Sequence, residues 1–141
     1  MAYPEQFLIP MRADLTRFGV EETRTPAEVD KALAPGSGTV LMVINSVCGC
    51  AAAKARPAIG QALQNSNRPT KVTTVFAGGD DAAVAHLRSG ILAEFPPSSP
   101  SMALFVDGKP VHMIHRRDIE PRGPEQIAAM LTELFDKYCN R

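Results

Sequence analysis

An α/β fold with a mixed central sheet between helical layers is what this sequence predicts, on three observations. Two apolar, β-branched runs, Thr39–Asn45 and Lys71–Ala77, are separated by an alanine-rich stretch of helical character. That order implies parallel strands joined by a right-handed crossover. Downstream, Ser101–Val106 and Pro110–His115 flank Asp107-Gly108, a two-residue hairpin signal that adds an antiparallel pair. Amphipathic segments on either side supply helices for both faces of the sheet.

Each element has a local justification. Met11, Leu15 and Phe18 are spaced i, i+4, i+7, which predicts a helix over Pro10–Phe18 ending at Gly19. Thr25-Pro26-Ala27-Glu28 is a capping box with proline at the first helical position, opening a helix to about Leu33. Pro35–Gly38 breaks the chain before the first strand. After Ser46–Cys50, the run from Ala51 to Asn65 favours helix, and Pro57 inside it predicts a kink. Gly78-Gly79 turns the chain after the second strand. Asp80 or Asp81 is placed to cap the next helix, which runs through Ser89. Phe95–Pro100 is a proline–serine loop, and a last helix extends from about Pro124 to Cys139 with Ile127, Met130, Leu131, Leu134 and Tyr138 on one face. The β-α-β-α-β-β-α core, preceded by two extra N-terminal helices, is a thioredoxin-like pattern with a sheet of about four strands.

At 141 residues the chain is expected to form a single domain over 1–141. Basic and acidic residues number 15 each, so the formal net charge is zero. A nucleic-acid binder needs a basic face and a polybasic membrane anchor needs a basic cluster; neither class is expected. No apolar run approaches the roughly 20 residues of a bilayer span. The opening MAYPEQFLIPMRADL has neither the basic start nor the apolar stretch of a secretory leader. Three cysteines do not make a disulfide scaffold, so a reducing, cytoplasmic location is the expectation.

Cys48-Gly49-Cys50 concentrates the chemistry. It follows a buried strand and opens a helix, where unpaired N–H groups and the helix dipole favour negative charge. A cysteine there has its pKa lowered and becomes the nucleophile, which assigns attack to Cys48. Cys50, one turn in and next to Ala51–Ala53, is expected to be less exposed, to hold its proton more firmly, and to resolve a mixed disulfide on Cys48. A bridge between residues two apart closes a tighter ring than Cys-x-x-Cys does. Gly49, lacking a Cβ, eases that closure, and the remaining strain suits exchange or isomerisation of disulfides. Two other readings stand beside this one: thiols that only pack, and a Cys-x-Cys metal-binding protein or metallochaperone. Tetrahedral zinc requires four ligands, and the sequence has no second pair at ligand spacing, so no metal site is assigned.

The remaining candidates read more plainly. Pro96, Pro97 and Pro100 are loop prolines, Pro100 directly preceding a strand. Cys139 shares the core-facing side of the last helix; a packed thiol and a third redox thiol are both open. His86, His112 and His115 have no metal spacing. Lys54 and Arg56 lie roughly 9–12 Å along the helix from Cys48, too far to act on it through water. Met11, Met42, Met102 and Met113 read as core filling.

The stretches PMRADLTRFGVEETRTPAEVDKAL, NSVCGCAAAKARPA, TTVFAGGDDAA and FPPSSPSMALFVDGKPV, in this order over nearly the whole chain, closely resemble the bacilliredoxin family of thioredoxin-fold proteins with a CGC site. The resemblance implies that Cys48 is the nucleophile and Cys50 the second redox thiol. It also implies that Ser99 and Pro100 form a cis-proline loop on the substrate side. The implied activity is thiol–disulfide exchange that removes bacillithiol from proteins carrying mixed disulfides, with bacillithiol as co-substrate and no bound cofactor. Disulfide isomerase activity is the neighbouring implication. One departure is Ala53, near which the family leads one to expect glycine; it implies a straighter or tighter helix after the cysteines.

Overall fold

Side-chain alternation along the apolar runs sets the layering, because successive residues of a strand point to opposite faces. In the computed structural model, which describes residues 2–139, strand Thr39–Asn45 sends Leu41 and Val43 to one apolar layer and Val40, Met42 and Ile44 to the other. Strand Ser101–Val106 does the same, with Met102 and Leu104 on the first side and Ala103 and Phe105 on the second. Both faces being covered, the strands read as unbroken apolar runs.

The elements in chain order are α1 (Glu5–Thr16), β1 (Glu21–Glu22), α2 (Pro26–Ala32), β2 (Thr39–Asn45), a π-helical turn (Ala51–Ala55) running into α3 (Arg56–Ala62), β3 (Lys71–Phe76), α4 (Asp81–Ser89), β4 (Ser101–Val106), β5 (Lys109–Ile114), α5 (Arg116–Ile119) and α6 (Pro124–Tyr138). The sheet has five strands in the order β1-β3-β2-β4-β5. β2 pairs parallel with β3 and antiparallel with β4, and β4 pairs antiparallel with β5. Leu15, Val20, α3 and α6 build one layer; Val29, Leu33 and α4 build the other, so the two N-terminal helices divide between the faces.

Several expectations are corrected. The fifth strand, β1, is two glutamates paired parallel to Thr73 and Thr74 at the sheet edge; so short and polar an edge carries no periodicity to read. α1 begins five residues earlier than Pro10 and contains that proline, and its buried residues are Leu8, Arg12 and Leu15, while Met11 is half-buried and Phe18 is exposed. The face is turned because Arg12 is drawn inward to Asp80, with contacts of 2.8 and 2.9 Å. For the same reason Asp80 does not cap α4 with its side chain. Its carboxylate receives Arg12 and the Phe76 N–H at 3.0 Å. The short helix α5 also escapes the sequence reading.

The proline effect takes a specific form. Pro57 has no N–H to offer the preceding turn. The chain widens before it, and the Arg56 N–H reaches back five residues to the Ala51 carbonyl. Around Ala53 the helix is therefore wider, not straighter or tighter. The hairpin matches expectation, with Asp107 at φ 50° and Gly108 at φ 85°, the left-handed pair that an Asp-Gly turn of this twist requires.

Candidate active site

Register places the site. Asn45 ends β2 opposite Phe76 of β3, and Ile44 lies opposite Ser101, the first residue of β4. Pro100, one residue earlier, therefore stands beside the Ser46–Cys48 loop. The Ser99–Pro100 peptide bond is cis, and Pro100 is buried. Met102 lies opposite Ile114, so β5 delivers its end, and α5 after it, to the same edge. Cys48, Cys50, Ser99 and Pro100 are thus gathered at one end of the sheet. Cys139 is not among them: it lines a hollow with Gly38, Thr39 and Asp107 at the start of β2. Six strand steps separate the two ends, roughly 20 Å.

Cys48 is the residue from which the helix starts. Its carbonyl accepts the N–H groups of Ala51 at 3.1 Å and Ala52 at 3.2 Å. Ser46 folds over it: the hydroxyl donates to Cys48 Sγ at 3.4 Å and accepts the Cys48 N–H at 3.4 Å. Burial works to raise the Cys48 pKa, but the Ser46 hydroxyl, the Ala51 and Cys50 N–H groups and the charge of Arg116 together pull it below the ordinary thiol range. Cys50 moves the opposite way. Burial raises its pKa, the Cys48 thiolate and the Glu120 carboxylate raise it further, and Arg116 opposes them. The direction matches the sequence expectation, but the seclusion does not: both thiols are free and both are half-exposed. Gly49 between them stands in open space in this dithiol form. A Cβ built on it meets no atom within 4 Å, and it is not among the glycines with positive φ.

The polar surroundings come mostly from residues that the sequence reading passed over. Arg116 donates its backbone N–H to Ser98 Oγ at 3.2 Å and its guanidinium to the Ser99 carbonyl at 3.3 Å, and it pairs with Glu120 at 3.3 Å. It therefore connects the cis-proline loop, α5 and the thiols. Its own pKa is held up first by the Cys48 thiolate and then by Glu120. Cys50 Sγ donates toward Glu120 Oε2 at 3.9 Å, and Lys54 donates to the Glu120 backbone carbonyl. Arg56, set aside by distance along the helix, is buried beneath the loop because the chain folds back over it. It donates to Asn45 Oδ1 at 3.2 Å and to the Ser46 carbonyl at 3.3 Å, while its Nε stands 3.3 Å from Asp14. Asn45 Oδ1 also receives the Ser46 N–H at 2.9 Å. No local signal marks Arg116 and Glu120, since they meet the cysteines only through the β4–β5 hairpin.

Other candidates fall outside this cluster. His86 pairs with Asp30 at 2.6 Å, and the His115 ring lies 6.4 Å from Phe95. Among the described residues no group of three or more His, Cys, Asp and Glu side chains converges as a metal site. An ion on Cys48 and Cys50 would need ligands from elsewhere. No helix among those residues is long and apolar enough to cross a membrane.

A thiol pair with opposed pKa shifts at the end of a thioredoxin-type sheet is the site of a thiol–disulfide oxidoreductase, and the likenesses to known proteins agree. The chain is 19% identical to a mutant thioredoxin of Halobacterium salinarum, with a TM-score of 0.60 over 91% of this chain and 94% of that one. It is 22% identical to thioredoxin O2 of Arabidopsis thaliana in its oxidised state, with a TM-score of 0.56 over 88% and 97%. At these identities the likeness is one of fold. The family described as disulphide isomerase matches residues 3–139. A bacilliredoxin of Koribacter versatilis is 51% identical over 97% of this chain and 94% of its own length. One of Bacillus cereus is 46% identical over 97% and 95%. The chain belongs to the bacilliredoxin family.

Proposed function

We propose that this protein is a cytoplasmic enzyme that removes bacillithiol from proteins carrying it as a mixed disulfide. Cys48 attacks the bacillithiol sulfur and the client leaves with its thiol restored. A second bacillithiol, or Cys50, then clears the Cys48–bacillithiol disulfide. In this reading Ser99 and Pro100 form the wall against which the substrate disulfide lies, and no bound cofactor takes part. The observation that carries the reading is Cys48 itself, a half-exposed thiol at a helix start whose charge is stabilised by Ser46, two N–H groups and Arg116. A thiolate is the attacking species in exchange.

The test is turnover on a bacillithiolated protein beside the same protein glutathionylated, with wild type, Cys48→Ala and Cys50→Ala. The expected result is preference for the bacillithiolated client, no release by Cys48→Ala, and an adduct on Cys48 in Cys50→Ala until free small thiol is added. Equal turnover of both clients would remove bacillithiol from the proposal. An adduct on Cys50 in the wild type would reverse the roles of the thiols. Isomerase activity is the second reading, favoured by the description of the matching family. It predicts reactivation of a scrambled disulfide protein by Cys50→Ala, since isomerisation needs only the attacking thiol.

A further inference from the structure

Glu120 has no part in the attack by Cys48, yet among the described residues it is the one carboxylate that Cys50 Sγ reaches, at 3.9 Å. Its place is fixed from two sides. Arg116 Nε stands 3.3 Å from Glu120 Oε2, the oxygen that faces Cys50, and Lys54 holds the backbone carbonyl of the same residue. Glu120 remains half-exposed, so it can exchange protons with water.

Cys50 needs such help. In the resting enzyme it lies beside a thiolate and a carboxylate, and like charges keep its proton on. Once Cys48 is bound in a mixed disulfide, the thiolate charge is gone. Arg116, released from that charge, keeps Glu120 as its ion-pair partner; the charged groups acting on Cys50 are Cys48, Glu120 and Arg116, with Lys54 bound to the Glu120 backbone carbonyl.

We infer that Glu120 is the general base of the resolving step, taking the proton of Cys50 as Cys50 attacks Cys48. This rests on the reading above, in which Cys48 carries the small thiol. The Cys50 Sγ proton passes to Glu120 Oε2. The Cys50 sulfur attacks Cys48 Sγ, the Cys48–Cys50 bond forms, and the bond from Cys48 to the small thiol breaks. The small thiol leaves with the electron pair and is protonated by water, and Glu120 returns its proton to solvent. Cys50 is oxidised by the mixed disulfide, which is itself reduced, so no other oxidant is needed. Glu120 touches the reacting group and acts on the second step alone.

The experiment loads Cys48 with a small-thiol disulfide and follows its release without free thiol, in wild type, Glu120→Gln and Cys50→Ala. General bases contribute roughly 10²–10⁴-fold when well positioned; for a half-exposed carboxylate a slowing of at least about tenfold is expected in Glu120→Gln near neutral pH. The deficit should shrink toward alkaline pH, where Cys50 ionises unaided, and the alkylation rate of Cys48 should stay within about twofold of wild type. The sign separates base from bystander. If Glu120 acts only as a neighbouring negative charge, Glu120→Gln lowers the Cys50 pKa and release becomes faster, which overturns the inference. Unchanged release with Cys50→Ala stalled overturns it too, while leaving the roles of the cysteines standing. Release from Cys50→Ala at the wild-type rate shows that no internal resolving step exists, and overturns both.

Discussion

Arg12 and Arg116 stand at the same end of the sheet, one beyond β3 and one beyond β5, and both hold carboxylates. Water separates their roles. The Arg12 side chain is 7% exposed and its partner Asp80 3%, whereas Arg116 is 42% exposed and Glu120 50%. Arg12 is locked by Glu5, Glu22 and Asp80, at 3.0, 3.0 and 2.8 Å, and lies over the Phe76 ring. Burial would lower its pKa, but Asp80 and Glu5 hold it far above the ordinary value. Such a charge has no chemistry to offer. It fixes α1 against the β3–α4 turn. Arg116 is free to answer whatever charge the thiols carry. Seclusion makes one arginine structural, and exposure leaves the other available to the reaction.

The largest effect expected from this contrast is on stability. Arg12→Met leaves Asp80 buried without its main partner, and breaking a buried pair costs about 3–5 kcal/mol. Urea denaturation should show that loss, while the fraction still folded alkylates Cys48 at the wild-type rate. A slower Cys48 in that variant would mean that the two clusters are coupled.

Next in size is Ser46→Ala. Removing a hydrogen bond to the thiolate should raise the Cys48 pKa and slow alkylation about tenfold below that pKa. The sign follows from the native shift: a lowered pKa keeps Cys48 charged at a pH where a free thiol is protonated. The variant should therefore lag at pH values below the wild-type Cys48 pKa and catch up once pH exceeds the pKa of both proteins. A pH–alkylation profile reads this directly, and superimposable curves would remove Ser46 from the site.

A smaller shift in the same direction is expected for Arg116→Gln, about threefold at low salt, because an exposed charge acts through solvent. It should fade in high salt, whereas the Ser46 effect should not. A salt-resistant deficit would place Arg116 in direct contact with the sulfur. The smallest effect belongs to Cys139→Ala, which should leave exchange unchanged. Its thiol is buried at the far end of β2, and burial raises its pKa.

The elements legible in the sequence were those whose signal is local. β2 could be read from TVLMVIN, the α2 start from Thr25 and Glu28, the hairpin from Asp107-Gly108, and the helix start at Cys48 from its place after a buried strand. What escaped depends on partners distant in sequence. Arg12 turns the face of α1 through an aspartate 68 residues away, and Glu120 meets Cys50 across 70. β1 is held by backbone bonds to β3 that two glutamates do not advertise. Arg56 was misjudged for a different reason. Distance along its own helix says nothing about a loop that folds back over it.

The π-helical turn of Ala51–Ala55 fits one residue more into its span than a regular helix would. It therefore works as a phase setting between two parts of one helix. The downstream part is seated against the turn that follows α1, where Phe18 lies so close over Gly60 that a Cβ there would meet the ring at 2.3 Å. The upstream part carries Cys48 and Cys50. Without that widening, the same number of residues wound as a regular helix would turn the redox pair by about 100° against that fixed seat. The strands and the core would have no reason to change, yet the thiols would face away from Arg116 and Glu120. Angular alignment of this chemistry is thus recorded in how one turn is wound.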